Sequence, residues 1–189
     1  MITHLLQCTE ADIQQIFLAG DSAGGNMVLS LISHILHPHP EIATTFILGD
    51  ALAGAILISP WAKFGTNDDS VKRNAMSDMV TAKAADRWSS SFLGSSPVDN
   101  YNQPILGDLV WFDRLDLYVK DMLIWAGSHE ILVDSIEELA KTLKQAHPKT
   151  ELFVQPGASH EDFIIDRLLG YKRKGEGTKL IESWMAARL

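Results

Sequence analysis

Uniformly apolar runs alternate along this chain with stretches whose apolar positions recur every three or four residues. The runs fall at residues 15–19, 53–59, 121–126 and 151–155 and are apolar through their centres. Strands of that kind bury both faces, as in a parallel sheet, whereas a half-solvated antiparallel strand alternates apolar and polar positions. Helical periodicity comes between and after them. Met27, Leu29, Leu31, Ile32, Ile35 and Leu36 form one set, Val133, Ile136, Leu139, Ala140 and Leu143 a second, and Leu180, Ile181, Trp184 and Met185 a third. The pattern predicts an α/β fold, a mainly parallel sheet flanked by helices on both faces. Residues 63–116 break the rhythm: they are rich in Ser, Asn, Asp, Gly and Pro, with one helix expected at residues 80–93. That is too long for a simple crossover, and an insertion above the carboxyl ends of parallel strands supplies a lid or pocket wall. The segment is read as a cap-like insertion in a single domain covering residues 1–189. No internal repeat or low-complexity tract interrupts it.

Composition narrows the classes. With 46% hydrophobic and 21% charged residues the chain has ordinary globular balance and enough apolar mass for one core. A net charge of −8 argues against a nucleic-acid partner, which calls for a basic face. The one basic cluster, Lys172-Arg173-Lys174, lies among Gly170, Gly175 and Gly177 and reads as a solvated loop. Cys8 is the sole cysteine, so no intrachain disulfide forms. Residues 1–7 show no basic, apolar and small-residue succession of a secretory signal, and the longest apolar run, residues 51–58, is too short for a membrane span. The expectation is a soluble cytoplasmic protein.

The chemistry starts where the first strand meets the first helix. Gly20-Asp21-Ser22-Ala23-Gly24 is a G-x-S-x-G turn between a strand pattern and a helix pattern, the setting of a nucleophile elbow. Ser22 is the candidate nucleophile. A serine hydroxyl needs a base to take its proton, and the base needs an acid to hold its tautomer and stabilise its cation. Both are available in the expected order. Residues 127–134, Gly-Ser-His-Glu-Ile-Leu-Val-Asp, follow the third strand and contain Glu130 and Asp134; residues 156–163, Pro-Gly-Ala-Ser-His-Glu-Asp-Phe, follow the fourth and contain His160.

Other readings of the same residue types are weaker. His34, His37 and His39 end a helix in a Pro-rich turn and suit a polar cap better than metal ligands. His129-Glu130 begins an H-E-x-x-H pattern, but Val133 stands at its last place, so no zinc site of that kind forms. The glycines at 20–25 lack the Gly-Lys-Ser/Thr ending of a phosphate loop. No metal and no cofactor are expected.

Taken together, Gly20-Asp21-Ser22-Ala23-Gly24-Gly25-Asn26, the acid segment and Ser159-His160-Glu161-Asp162-Phe163 resemble the hormone-sensitive-lipase branch of the α/β-hydrolase fold. The resemblance implies a serine carboxylesterase or lipase-like hydrolase acting on a small or medium ester, with Ser22, Glu130 and His160 as triad. Glu130, at the strand end, is the preferred acid. Asp134 is the alternative, and its other reading is N-terminal capping or dipole stabilisation of the following helix. Ala23 would give its backbone N–H to the oxyanion hole. Trp61, Phe64, Trp88 and Phe92 are candidates for a substrate pocket, or for plain packing of cap on sheet.

The family's H-G-G-G loop, which supplies further oxyanion donors, has no counterpart before Ser22, and the nucleophile strand begins near residue 15. The resemblance thus implies a partial α/β-hydrolase fold with a partial cap and the nucleophile strand at a sheet edge, so that the chain either associates through that edge or is a truncated product of weak stability. Residues 31–40 and Ser59-Pro60-Trp61 resemble fungal members, some acting in secondary-metabolite or toxin pathways. Two other readings stay open: an impaired hydrolase that binds a ligand or a partner, and an acyltransferase or lactonase using the same triad.

Overall fold

Four parallel strands in the order β1-β2-β3-β4 form the centre of the computed structural model, which describes residues 13–43 and 48–189. Cys8 and residues 1–7 lie outside the described residues. The strands are β1 (Phe17–Asp21), β2 (Gly54–Ile58), β3 (Met122–Gly127) and β4 (Thr150–Gln155). The helices are α1 (Ala23–Leu36), α2 (Asp69–Arg73), α3 (Ala82–Leu93), α4 (Val133–Ala146), α5 (Asp162–Leu168) and α6 (Glu176–Ala186). Consecutive strands are neighbours, so each link is a crossover, through α1, through residues 59–121 and through α4.

The uniformly apolar strands are explained by the two faces. On one, Leu18, Ala55, Leu57, Met122, Ile124 and Ala126 pack against Val28, Leu29 and Ile32 of α1 and Ile136, Leu139, Ala140 and Leu143 of α4. On the other, Ile56 and Leu123 meet Trp184 of α6, and Trp125 meets Phe163 of α5 with ring centroids 4.8 Å apart. Odd and even positions of β2 and β3 are therefore both buried, which removes polar alternation from their sequence.

Register differs from expectation mainly in β1. Residues 13–15 form a 3-10 turn closed by Ile16 N–H donating to Ile13 O at 3.1 Å, so the strand starts at Phe17. It continues through Gly20 and Asp21, which pair with Leu57 and Ile58 although neither is apolar. Within the described residues β1 is an edge of the sheet. Helix α3 begins two residues later than expected because Thr81 caps it, its hydroxyl accepting from Ala84 N–H at 3.2 Å. Residues 63–116 also carry α2 and a 3-10 turn at Pro104–Leu106.

Candidate active site

Parallel strands deliver Ser22, Ser59, Ser128 and the residues after Gln155 to one end of the sheet, where their loops converge. Ser22 occupies the turn between β1 and α1 at φ 49°, ψ −114°, a left-handed backbone that an L-residue holds only when its surroundings impose it. Its N–H donates to Ile58 O at 2.8 Å and its carbonyl accepts from Trp61 N–H at 3.0 Å, so the strained residue is pinned on both sides. A Cβ on Gly20 would lie 2.3 Å from the backbone of Gly24, and one on Gly25 2.8 Å from Pro60. Those two glycines let strand, helix and the Pro60 loop meet. Gly24 is different: a Cβ there would come no nearer than 3.4 Å, to Asp21 Oδ1.

The three predicted residues come together. Ser22 Oγ lies 2.9 Å from His160 Nε2, and His160 Nδ1 lies 2.7 Å from Glu130 Oε2. Glu130 is fully buried and its other oxygen accepts from Gly127 N–H at 2.8 Å and from the Ser59 hydroxyl at 3.2 Å. An ionised carboxylate only accepts, so Nδ1 carries the proton and Nε2 is left to accept from the serine. Burial works against the imidazolium of His160, but the hydrogen bond and charge of Glu130, with Glu161 and Asp78 beyond, outweigh it and hold the pKa above the ordinary histidine value.

Asp134 has other partners. Its Oδ2 accepts from Ser70 N–H at 2.7 Å and its Oδ1 pairs with Arg73 at 2.6 Å, tying α4 to α2. Burial would raise its pKa, but Arg73 and the Ser70 N–H prevail and lower it. It sits in the first turn of α4 without making a capping bond, so of the two structural roles expected for it the favourable dipole position is met and the cap is not.

Ala23 opens α1, and its N–H is among the first-turn donors for which a helix offers no acceptor. Beside it a cavity of about 420 Å³ is lined by Ser22, Ala23, Asn26, Met27, Trp61, Phe64, Trp88 and Phe92. All four predicted aromatics are in that wall. Trp61 and Phe64 are buried and meet edge to face at 5.3 Å, so they also serve as packing, while Trp88 and Phe92 remain more than half exposed. Met27 is 69% exposed, facing the cavity side although the periodicity counted it with the core.

Several contributors stand inside the sequence motifs without any role assigned to them there. The Asn26 side chain donates to Trp61 O at 2.9 Å and to Asn102 O at 2.8 Å, tying the elbow helix to the insertion. Ser59, buried with φ 44°, holds Glu130. Glu161, at φ 54°, brings a carboxylate to 3.6 Å from His160 Nε2; burial raises its pKa, Asp21 and Glu130 add to the rise, and His160 opposes it. A single polar residue after an apolar run gives no hint of which loop it will touch. The remaining histidine cluster is engaged locally: His34 Nδ1 accepts from His39 N–H at 2.9 Å, and His37 stacks on Trp111 at 4.1 Å with Nε2 2.8 Å from Trp111 O.

A family model described as alpha/beta hydrolase fold matches residues 2–164. Among solved structures, the esterase EstE5 soaked with ethyl alcohol superposes with a TM-score of 0.76 at 25% identity, covering 99% of this chain and 57% of that one. An esterase from the bacterial hormone-sensitive lipase family gives 0.76 at 21% identity with the same coverages, 99% and 57%. A hormone-sensitive lipase from a metagenome library gives 0.76 at 22%, covering 100% of this chain and 59% of that one. The chain thus spans under two thirds of the length of these structures. No curated protein matches it.

Proposed function

We propose that this chain, which belongs to the α/β-hydrolase fold family, is a serine carboxylesterase in which Ser22 is the nucleophile, His160 the base and Glu130 the orienting acid. The observation that carries the reading is the continuous relay of 2.9 Å and 2.7 Å from Ser22 Oγ through the His160 ring to Glu130. The strained φ of 49° at Ser22 and the likeness to a 25%-identical esterase support it.

The steps follow from that geometry. His160 Nε2 takes the hydroxyl proton as Ser22 Oγ bonds to the ester carbonyl carbon, and the carbonyl oxygen becomes an oxyanion facing the Ala23 N–H. Collapse expels the alcohol, which receives the proton from His160. Water then repeats the sequence on the acyl-serine, and the carboxylic acid leaves. Glu130 keeps its charge throughout and stabilises the transient imidazolium. The apolar wall of Met27, Trp61, Phe64, Trp88 and Phe92 suits a small or medium acyl or alcohol group, and residues 63–116 act as a cap-like part of one domain.

An oxyanion-hole donor is typically worth on the order of 10²–10³ in rate, and the Ala23 N–H takes that role here. The apolar cavity beside Ser22 also favours a second reading, a module that binds an ester-like ligand or a partner. Among the described residues β1 is a sheet edge, which supports self-association through that strand. The resemblance of residues 31–40 and Ser59-Pro60-Trp61 to fungal members of the family supports a role in secondary metabolism. Turnover of p-nitrophenyl esters of graded chain length, compared with Ser22→Ala, tests the assignment. Hydrolysis that survives Ser22→Ala refutes it, and hydrolysis lost with retained ligand binding in the parent favours the second reading.

A further inference from the structure

Asp78 lies in the insertion, outside the three residues of the relay, yet its carboxylate touches the backbone of two of the loops that carry them. Oδ2 accepts from Ile131 N–H at 2.5 Å, the residue directly after Glu130. Oδ1 accepts from His160 N–H at 3.4 Å and from Val80 N–H at 3.2 Å. Three N–H donors from three separate chain segments converge on one side chain. A carboxylate, with two oxygens and no donor, is the group that suits them; an amide has one acceptor and would turn N–H toward N–H.

Nearby contacts hold the acid loop alone. Asn74 donates to Ser128 O at 3.1 Å and Glu130 O at 2.8 Å, Ser77 to His129 O at 3.2 Å, and Ser70 to Ile131 O at 2.7 Å. Asp78 adds the histidine loop. The relay distance from Glu130 to His160 is set by how those two loops sit, and both are fastened to one carboxylate.

We propose that Asp78 is a positioning residue that locks the acid loop and the histidine loop in register, and that its charge acts on the His160 imidazolium. The proposal rests on the Ser22–His160–Glu130 reading. The charged groups acting on His160 are Glu130, Glu161 and Asp78, all acidic, and each favours the protonated ring. Misplacement of a reacting group by about 1 Å costs up to roughly 100-fold in rate, so loosening this joint is felt in kcat without any change in the substrate wall.

The test compares Asp78→Asn, Asp78→Ser and Asp78→Glu in the full chain, reading ester hydrolysis and the titration of His160 by NMR of ring-labelled histidine. In the two neutral variants kcat falls roughly 10- to 100-fold with KM unchanged, and the His160 titration moves to lower pH. Asp78→Glu keeps the titration in place. Folding of each variant is checked by circular dichroism, and Asp78→Ser, which retains one acceptor, stands in if Asp78→Asn does not fold. A folded neutral variant with parental kcat overturns the proposal. So does a kcat loss with an unmoved His160 titration, which marks a structural tie only. A parent chain that hydrolyses no ester contradicts the proposed function instead, and the His160 titration still decides the placement of Asp78.

Discussion

Replacing Glu130 with glutamine removes one charge and exchanges one acceptor for a donor at a side chain that is fully buried. Three donors meet the native carboxylate: His160 Nδ1 at 2.7 Å, Gly127 N–H at 2.8 Å and the Ser59 hydroxyl at 3.2 Å. The amide can take two orientations, and neither satisfies all three. With its oxygen toward His160, the NH₂ faces Gly127 N–H, and a buried donor left unpaired costs about 1–3 kcal/mol of stability. With its NH₂ toward His160, Nδ1 must accept, the proton moves to Nε2, and the ring no longer takes the serine proton; the wrong tautomer costs on the order of 10⁴ in kcat. In both orientations the imidazolium loses its counter-charge. The assay is kcat and KM for a p-nitrophenyl ester, with urea unfolding of the same sample. The expected result is a kcat drop of about 10³ or more at similar KM, with or without the stability loss. Asp134→Asn is the control: its pair with Arg73 is part-exposed, so the change costs about 1 kcal/mol or less in stability and leaves kcat within severalfold. A Glu130→Gln chain with parental kcat, or an Asp134→Asn chain without activity, refutes the assignment of the acid.

Other expectations follow from the same contacts. The acid limb of kcat/KM lies above the ordinary histidine value of 6.5, because His160 must be neutral to act and its pKa is raised. Linkage runs the other way: a raised folded-state pKa contributes stability that is full below the unfolded value and lost as pH rises through the folded one, which urea unfolding across that range measures in the parent against a His160→Gln chain. Gly25→Ala brings a Cβ within 2.8 Å of Pro60 and costs about 1–3 kcal/mol in thermal or urea unfolding, whereas Gly24→Ala, with 3.4 Å of room, is neutral or stabilising. Phe92→Ala strips an exposed ring from the cavity wall, so KM for a longer acyl ester rises about fivefold, equivalent to about 1 kcal/mol of lost apolar contact, with acetate esters little affected.

The layered fold was legible because burial on both sides of β2 and β3 leaves a direct trace, an unbroken apolar run. Ser22 and His160 were legible for a related reason: parallel strands must end on one side, so residues directly after strands meet. Glu130 followed from its place at the end of β3. What escaped was tertiary. Asp21 falls in the G-x-S-x-G turn beyond the expected strand, yet it pairs with Ile58 in the ladder. Met27 read as core because it keeps helical period, yet the cavity removes the neighbour it would have packed on. Asp78 and Asn74 sit in a stretch of mixed polarity whose partners, at Ile131, His160 and Glu130, are fifty or more residues away. No local pattern encodes such a contact.

The central claim is that Ser22 is an activated nucleophile. Intact-mass and peptide mass spectrometry of the folded chain after exposure to a fluorophosphonate measures this directly. The account predicts a single adduct on Ser22, absent from Ser22→Ala and formed far more slowly in His160→Ala. A folded chain that takes no label, or takes it at another residue, contradicts it.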